Sequence, residues 1–415
     1  MASTLRRRDA PIREVLAEPA VRVGFGVTLV IMLGYGLIVP VLPLYAKTFG
    51  VGRTEVGILM TSFALMRLAA DLVVGPIVDR HGARRAATAG AVIVGISALG
   101  AAAAPTFIWL VVVRGIGGAG SSLLFAAVLQ HLISAVPASR MARTMSFYYA
   151  SFLLGTVLGQ PIGGLVGATL GLAAPLVLYG IACLVSAGLT LRFLPRGGAA
   201  EPRDPASPQE VLAEQEGPVQ IDRGGLRPLL RNRAFVAALA ANASLFWAMG
   251  SVRLTLVPLY AQEVIGLREA GIGIVLGVAA IAQFVFMWPA GSIADTRGRK
   301  VVLAPSLLAL AISIAVLDLA TAAWSLAAAL ALLGAASGVG GVAPAAVVAD
   351  VAPRGRSGRA VGAYRFAGDI GFVLGPLVAG AVADAAGYGP AFLVTAVPVA
   401  VAAVVAMRMP ESLRR

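Results

Sequence analysis

Apolar residues occur along this chain in long runs that short polar segments interrupt. We count twelve runs of about 19–29 residues, and each is long enough as a helix to cross ~30 Å of hydrocarbon. The pattern therefore predicts twelve transmembrane helices over residues 23–45, 56–78, 86–104, 107–135, 145–168, 174–194, 235–259, 270–294, 301–320, 324–349, 360–383 and 389–409.

One connection is much longer than the others. Residues 195–234 are rich in proline, glycine and charge, which is typical of a flexible linker. The linker divides the runs six and six, and it predicts one bundle over 23–194 and a second over 235–409. Residues 1–22 and 410–415 then form the termini. The charged N-terminal segment leads directly into a full-length run, so we expect no cleavable signal peptide.

The two halves repeat each other at a fixed offset of 216 residues. A repeat of this length indicates two equivalent bundles in one chain. In membrane transporters, the substrate site lies between such halves. The matched positions are Gly75, Asp79, Gly82, Pro137, Arg140, Arg143, Gly155, Gly159 and Gly164 in the first half, and Gly291, Asp295, Gly298, Pro353, Arg356, Arg359, Gly371, Gly375 and Gly380 in the second.

Composition and charge distribution support a membrane location. Hydrophobic residues make up 59% of the 415 residues and charged ones only 13%, too few to cover a soluble protein of this length. Of the 33 Lys and Arg, 26 lie in the termini and in alternate loops, whereas Lys47, Arg53 and Arg268 lie on the opposite side. This bias predicts that both termini are cytoplasmic. The net charge of +13 is then a topology signal that also favours anionic lipid, and we expect no nucleic-acid partner.

Residues able to hold a metal or a nucleotide are scarce. Cys183 is the single cysteine, so we interpret it as a small packing residue. His81 and His131 have no neighbours at metal-ligand spacing, and the chain has no P-loop. We therefore expect no metal, no cofactor and no enzymatic activity. The alanine-rich, arginine-rich composition is typical of a high-GC bacterial genome, which predicts the plasma (inner) membrane.

Two loops at matching positions carry the same charge pattern: an acid at a helix end, a turn glycine, then basic residues. They resemble the hallmark loop of the major facilitator superfamily, and the resemblance covers all twelve runs. It implies an all-α integral membrane fold of two pseudo-symmetric six-helix bundles that works by alternating access. It also implies that Asp79 accepts hydrogen bonds from the N-terminus of span eleven and holds an inner gate; the alternative is a loop that only fixes topology. Ala83 and Thr296 depart from the family pattern. The gating-loop residues are Gly75, Asp79, Arg80, Gly82, Arg84, Arg85, Gly291, Asp295, Gly298, Arg299 and Lys300.

A glycine-rich motif in span five resembles the exporter motif of the twelve-helix drug:proton antiporters, although its proline is displaced by one position. Glycines at four-residue spacing allow close helix contact. The resemblance implies proton-coupled export of small amphipathic or hydrophobic compounds, with the proton gradient as driving force. The alternatives are an importer, a lipid, lysolipid or sugar carrier of the same fold, and a non-transporting membrane sensor. The motif comprises Gly155, Gly159, Gln160, Pro161, Gly163 and Gly164, and its counterpart in span eleven comprises Gly371, Gly375 and Pro376.

Several charges lie inside the predicted spans. Arg67 and Asp71 in span two, and Arg365 and Asp369 in span eleven, are each spaced i,i+4, so each pair could neutralise itself. In the family fold these spans are antiparallel neighbours, and the depths match crosswise as Asp71–Arg365 and Arg67–Asp369. We hypothesise that the crosswise pairs close the inner half in the outward-facing state and part in the inward-facing one. Arg114 resembles the family's intramembrane arginine, which is implicated in proton coupling; the alternative is a structural charge that pairs with a neighbouring group.

Spans one, four, seven and ten line the cavity of the family fold. Span one lacks an acid, and two arginines face the expected cavity, which favours a neutral, zwitterionic or anionic amphiphile as the small-molecule substrate. We expect the carrier to be a monomer. The candidate cavity residues are Tyr35, Arg114, Tyr148, Tyr149, Asn242, Phe246, Trp247, Arg253, Gln283 and Trp288.

Overall fold

The computed structural model describes residues 19–135, 138–194, 227–351 and 357–412. These ranges are helical and contain no strand, and ten of their helices are long and apolar enough to cross a membrane. The N-terminal half contains α1 Pro19–Ile38, α2 Arg53–His81, α3 Ala83–Ala102, α4 Phe107–Ala135, α5 Ala138–Leu170 and α6 Ala174–Phe193. The C-terminal half contains α7 Arg233–Glu263, α8 Glu269–Arg297, α9 Arg299–Ala315, α10 Ala323–Val351, α11 Ser357–Ala386 and α12 Tyr388–Arg408.

Helix α7 is not uniform. It is an α-helix over Arg233–Ala248, a π-helix over Met249–Leu256, and an α-helix again over Val257–Glu263. Asn232 caps its first turn by accepting a hydrogen bond from the Ala234 amide at 2.9 Å. A π-helical stretch leaves the regular backbone pattern, and such stretches are frequent at functional sites.

Packing inside the two halves follows one scheme. In the first half, α1 packs on α5 and α6, α4 packs on α2 and α3, and α3 packs on α6. Each of these pairs recurs six helices later: α7 packs on α11 and α12, α10 packs on α8 and α9, and α9 packs on α12. The all-α fold with two pseudo-symmetric groups of helices is therefore present. The predicted linker and termini lie largely outside the described residues.

The two halves meet along α2–α11 and α5–α8, which are symmetry equivalents of each other. We call the end of the bundle that carries residues 47–53 and 263–268 the outer end, following the predicted topology. There Gly164 and Gly273 bring α5 and α8 so close that a Cβ on Gly164 would lie 2.8 Å from the Gly273 Cα. Gly57 on α2 packs in the same way against the Pro376 carbonyl of α11. The halves are therefore in tight contact at the outer end.

The glycines of the span-five motif serve two contacts. Gly155, Gly159 and Gly163 face α1, and a Cβ on Gly159 would lie 2.7 Å from the Gly36 Cα. Gly164 faces the other half. On α11, Gly371 and Gly375 likewise face α7, so the repeated motif packs each helix against the first helix of its own half.

Candidate substrate cavity between the two halves

A cavity of about 370 Å³ lies between the halves, at the middle of the bundle. Helices from both halves form its wall, including α1, α2 and α5 from the first and α7, α8 and α11 from the second. Its volume falls within the range of small-molecule sites. Five phenylalanines give it a largely apolar lining: Phe63, Phe125, Phe152, Phe246 and Phe372.

Six of the ten residues predicted for the cavity line it. They come from four different helices, so the fold brings together residues that are far apart in sequence. These six are Tyr35, Tyr149, Asn242, Phe246, Arg253 and Gln283.

The other four candidate residues, Arg114, Tyr148, Trp247 and Trp288, do not line the cavity, so the prediction is wrong for them. Trp288 is 68% exposed and lies on the outer surface of α8, where an amphipathic indole suits a membrane interface. Trp247 donates from its indole to the Thr395 carbonyl at 3.1 Å, within the C-terminal half. Tyr148 is buried in the core beside Tyr149.

Arg114 is the fourth such residue. It is buried, and its guanidinium lies 4.6 Å from the ring centroid of Phe63, which itself lines the cavity. The Phe63 ring is thus a cation–π partner of this buried charge. Its suggested part in proton coupling stays a prediction.

Several residues that line the cavity were not predicted from the sequence, although the 216-residue repeat could have identified some of them. Five pairs of lining residues are related by the 216-residue offset. Because the halves are related by a pseudo-twofold axis through the cavity, the repeat partner of a lining residue tends to line it as well. The pairs are Ala64 and Ala280, Arg67 and Gln283, Tyr149 and Arg365, Leu153 and Asp369, and Thr156 and Phe372.

The crosswise pair Asp71–Arg365 is formed in the structure. The Arg365 Nη2 donates to the Asp71 Oδ2 at 3.3 Å, and both side chains are about nine-tenths buried. The Ser122 hydroxyl of α4 also donates to the Asp71 carboxylate through a short hydrogen bond. Asp71 is therefore held by its own half while it joins α2 to α11.

Arg67 and Asp369 lie one helical turn closer to the middle, and both line the cavity. Their matching depth fits the second crosswise relation, which stays a prediction. The Asp71–Arg365 pair is formed while the outer end is closed, so closure of that end does not by itself part it. The predicted alternation stays a prediction.

Arg253 enters the cavity from the π-helical part of α7. It is 9% exposed, and its Nη1 donates to the Gln283 Oε1 of α8 at 2.5 Å. Gln283 is the repeat partner of Arg67, so the second half carries a neutral amide at the position where the first half carries a cation.

A polar network that the sequence did not predict closes the outer end. Arg53 of α2 donates to Glu263 at 2.6 Å, and Lys47 lies 3.5 Å from the same carboxylate. Tyr388 donates to Glu263 at 2.8 Å. The Asp384 carboxylate accepts from the Arg53 amide at 2.9 Å, so it caps the N-terminus of α2 from the opposite half. We call Lys47, Arg53, Glu263, Asp384 and Tyr388 the outer network.

The predicted gating loops differ in their contacts. Asp79 accepts from the Gln130 amide of α4 at 2.9 Å, within its own half, rather than from α11 in the described residues. In the second copy, Asp295 pairs with Arg299, whose Nε lies 3.4 Å from Asp350. A cation at 299 and an acid at 350 have no counterparts at Ala83 and Ser134, so the two loops are built differently. Their gating role stays a prediction.

A family model described as Major Facilitator Superfamily matches residues 24–270 and 245–414. The chain belongs to this superfamily. It is therefore a multi-pass membrane transporter of small molecules, and superfamily members are transporters rather than enzymes.

Relatives within the superfamily include drug-resistance proteins. An uncharacterized MFS-type transporter of Methanocaldococcus jannaschii is 22% identical over 87% of this chain and 90% of its own length. Multidrug resistance protein MdtG of Citrobacter koseri is 33% identical over 35% of this chain and 37% of its own. Quinolone resistance protein NorA of Staphylococcus aureus is 29% identical over 32% of this chain and 34% of its own. The matches to the two resistance proteins thus span about a third of each chain.

Solved structures with the same fold cover nearly the whole chain. A bacterial homologue of the human lysosomal transporter Spinster, in an inward-facing and unoccupied conformation, matches 98% of this chain and 97% of its own with a TM-score of 0.74 and 16% identity. The human organic anion transporter MFSD10 (TETRAN) matches 96% of this chain and 100% of its own with a TM-score of 0.67 and 18% identity. At these identities the likeness establishes the fold alone.

Proposed function

We propose that this carrier exports small amphipathic compounds in exchange for protons, by alternating access. The observation that carries the proposal is the aromatic cavity between the two halves, enclosed by a sealed outer end and adjoined by two acids that face arginines of the opposite half. The names of the resistance proteins MdtG and NorA support export of such compounds.

The proton step uses the carboxylates of Asp71 and Asp369. Protonation of a carboxylate removes its attraction for the arginine opposite, so it weakens the contact between α2 and α11. A proton taken up from one side and released to the other would thereby bias the two conformations differently. Asp369 lines the cavity, so its proton and the substrate occupy neighbouring space. Competition between the two gives exchange rather than co-transport.

The test is transport in proteoliposomes with an imposed pH gradient and a panel of fluorescent dyes and lipids. We expect dye movement against its concentration gradient, driven by protons moving in the opposite direction and abolished when the gradient is collapsed. Accumulation that is indifferent to collapse of the gradient would refute proton coupling. Movement of dye and protons in the same direction would identify an importer instead, and selective movement of lipids would identify a lipid carrier.

A matched pair of variants separates coupling from binding. Asp369→Asn removes the titratable group from the cavity with little change of shape, and we expect it to keep dye exchange between equal concentrations but to lose gradient-driven accumulation. Trp288→Leu alters a residue on the outer surface and should leave both activities unchanged. Full gradient-driven accumulation by Asp369→Asn would remove this residue from the proposed coupling.

A further inference from the structure

Arg253 is the cation of the cavity that the other charges do not neutralise. Arg365 pairs with Asp71, and Asp369 lines the cavity at the same depth as Arg67 of the opposite half. No carboxylate within the described residues forms an ion pair with Arg253, although its side chain is buried. An unneutralised cation at this depth is costly unless a partner reaches it.

The surroundings of Arg253 hold it ready for such a partner. The Gln283 amide accepts from one guanidinium nitrogen and so fixes the plane of the group. Tyr35 of α1 also lines the cavity, so a phenol hydroxyl is part of the same wall. The remaining donors make no hydrogen bond to the described residues. A planar guanidinium with free donors matches the geometry of a carboxylate, which it binds in bidentate fashion.

Gln160 gives a second, independent sign of a missing polar partner. Its side chain lines the cavity at 2% exposure, and its Oε1 has no hydrogen-bond partner in the structure. Buried polar atoms are nearly always satisfied, so an orphan acceptor on a residue of the cavity wall leaves a place for a donor on a ligand. Gln160 occupies a position in a helix-packing motif, yet packing needs no amide there.

We infer that the cavity binds an amphipathic monocarboxylate: the carboxylate on Arg253, a hydrogen-bond donor near Gln160, and an aromatic or aliphatic body among the phenylalanines. This deepens the proposed function and rests on it for direction of transport. Among the residues that line the cavity, Arg253 is the cation left over, and this favours a monoanion over a phosphate ester, because the second charge of a phosphate would have no partner in the wall.

Three probes that share one fluorophore test the inference on the purified full chain. Dansylglycine carries a carboxylate, dansylamide is neutral, and dansylcadaverine carries an ammonium group, and each brightens in an apolar site. We expect dansylglycine to bind at least tenfold more tightly than dansylamide, a difference of about 1.4 kcal/mol, and dansylcadaverine to bind most weakly. Equal binding of the acid and the amide would overturn the inference, as would tighter binding of 1-naphthyl phosphate than of 1-naphthoate.

Two variants locate the site. Arg253→Met should remove the tenfold preference for the acid and leave dansylamide binding within about twofold. Gln283→Glu keeps the size of its side chain but places a carboxylate on Arg253, so it should remove the preference in the same way, while Trp288→Leu should keep it. A preference that survives in Gln283→Glu would overturn the assignment to Arg253, whether or not Arg253→Met folds.

Binding and transport can fail separately. Tight, Arg253-dependent binding of dansylglycine without gradient-driven flux in proteoliposomes would support the inference and sink the proposed exchange. Proton-driven flux of dansylamide and dansylcadaverine without preference for the acid would support the exchange and sink the inference.

Discussion

The Asp71–Arg365 pair allows a quantitative test of how the halves are held together. Two charges 3.3 Å apart attract by about 5 kcal/mol at an effective dielectric constant of about 20. Desolvation offsets much of this attraction. Removing one partner of a buried pair typically costs about 3–5 kcal/mol, whereas replacing both is often nearly neutral. Because each side chain keeps about a tenth of its exposure, we expect about 2–3 kcal/mol for Asp71→Asn or Arg365→Gln alone and about 0–1 kcal/mol for the double variant.

The single cysteine provides the assay. Cys183 is fully buried, so a fluorogenic thiol reagent reacts with it only when the helices separate. For a chain of this length, 1 kcal/mol shifts the unfolding midpoint by roughly 1–2 °C, extrapolating from smaller domains. Each single variant should therefore unfold about 2–6 °C lower, and the double variant should recover to within about 2 °C of the parent. One heating rate must be kept throughout, because unfolding of such proteins is often irreversible.

The control is a second double-mutant cycle, between Asp71 and Arg67 within α2. If the charges pair inside their own helices, the shifts in unfolding midpoint caused by Asp71→Asn and Arg67→Gln will not add up in the double variant. The shifts caused by Asp71→Asn and Arg365→Gln will then add up. That result would refute the crosswise pairing. Ser122→Ala removes a hydrogen bond to Asp71 without changing any charge, so its cost should be at most about 1–2 kcal/mol.

Three further predictions concern the two ends of the bundle. Gly164→Leu should abolish transport, because its side chain would collide with α8; Gly188→Leu, at a glycine with open space around it, should remain active in the same flux assay. Glu263→Gln should weaken the outer network. A reporter cysteine in the cavity, Met249→Cys in a chain that lacks Cys183, should then react severalfold faster with an impermeant maleimide added outside. An unchanged rate would show that this network does not keep the outer end closed. Glu411 accepts from the Arg299 and Lys300 amides at 2.9 and 3.1 Å, so Glu411→Ala should destabilise by about 1 kcal/mol through loss of the α9 cap; an unchanged unfolding midpoint would contradict this.

Much of the fold follows from the sequence because the apolar runs are long and the repeat is exact at its glycines. Each predicted span has a helix at its place. Once the family resemblance makes spans two and eleven antiparallel neighbours, depth predicts the crosswise contact of Asp71 with Arg365, since a helix rises a fixed distance per residue. Position along the helix axis, and so depth in the membrane, is the quantity that sequence spacing predicts best.

The side of a helix from which each residue projects was predicted poorly from the sequence. In a soluble helix the polar face marks the surface, but here lipid and cavity both favour apolar and aromatic side chains. Trp288 and Phe246 are therefore indistinguishable by composition, although one lies on the outer surface and the other lines the cavity.

The outer network was missed for a related reason: Glu263 and Asp384 lie at helix ends, where single charges look like ordinary surface residues. Only the pseudo-twofold axis brings them to Arg53, and that axis also explains how the cavity acquires its chemistry. Residues 216 positions apart lie on opposite sides of this axis. Where the two residues of such a pair differ, the opposite walls of the cavity therefore differ in chemistry. Arg67 against Gln283, and Tyr149 against Arg365, are such differences. A duplicated scaffold with unequal partners can hold one charged group on one wall and an apolar body on the other, which is what an amphipathic substrate requires.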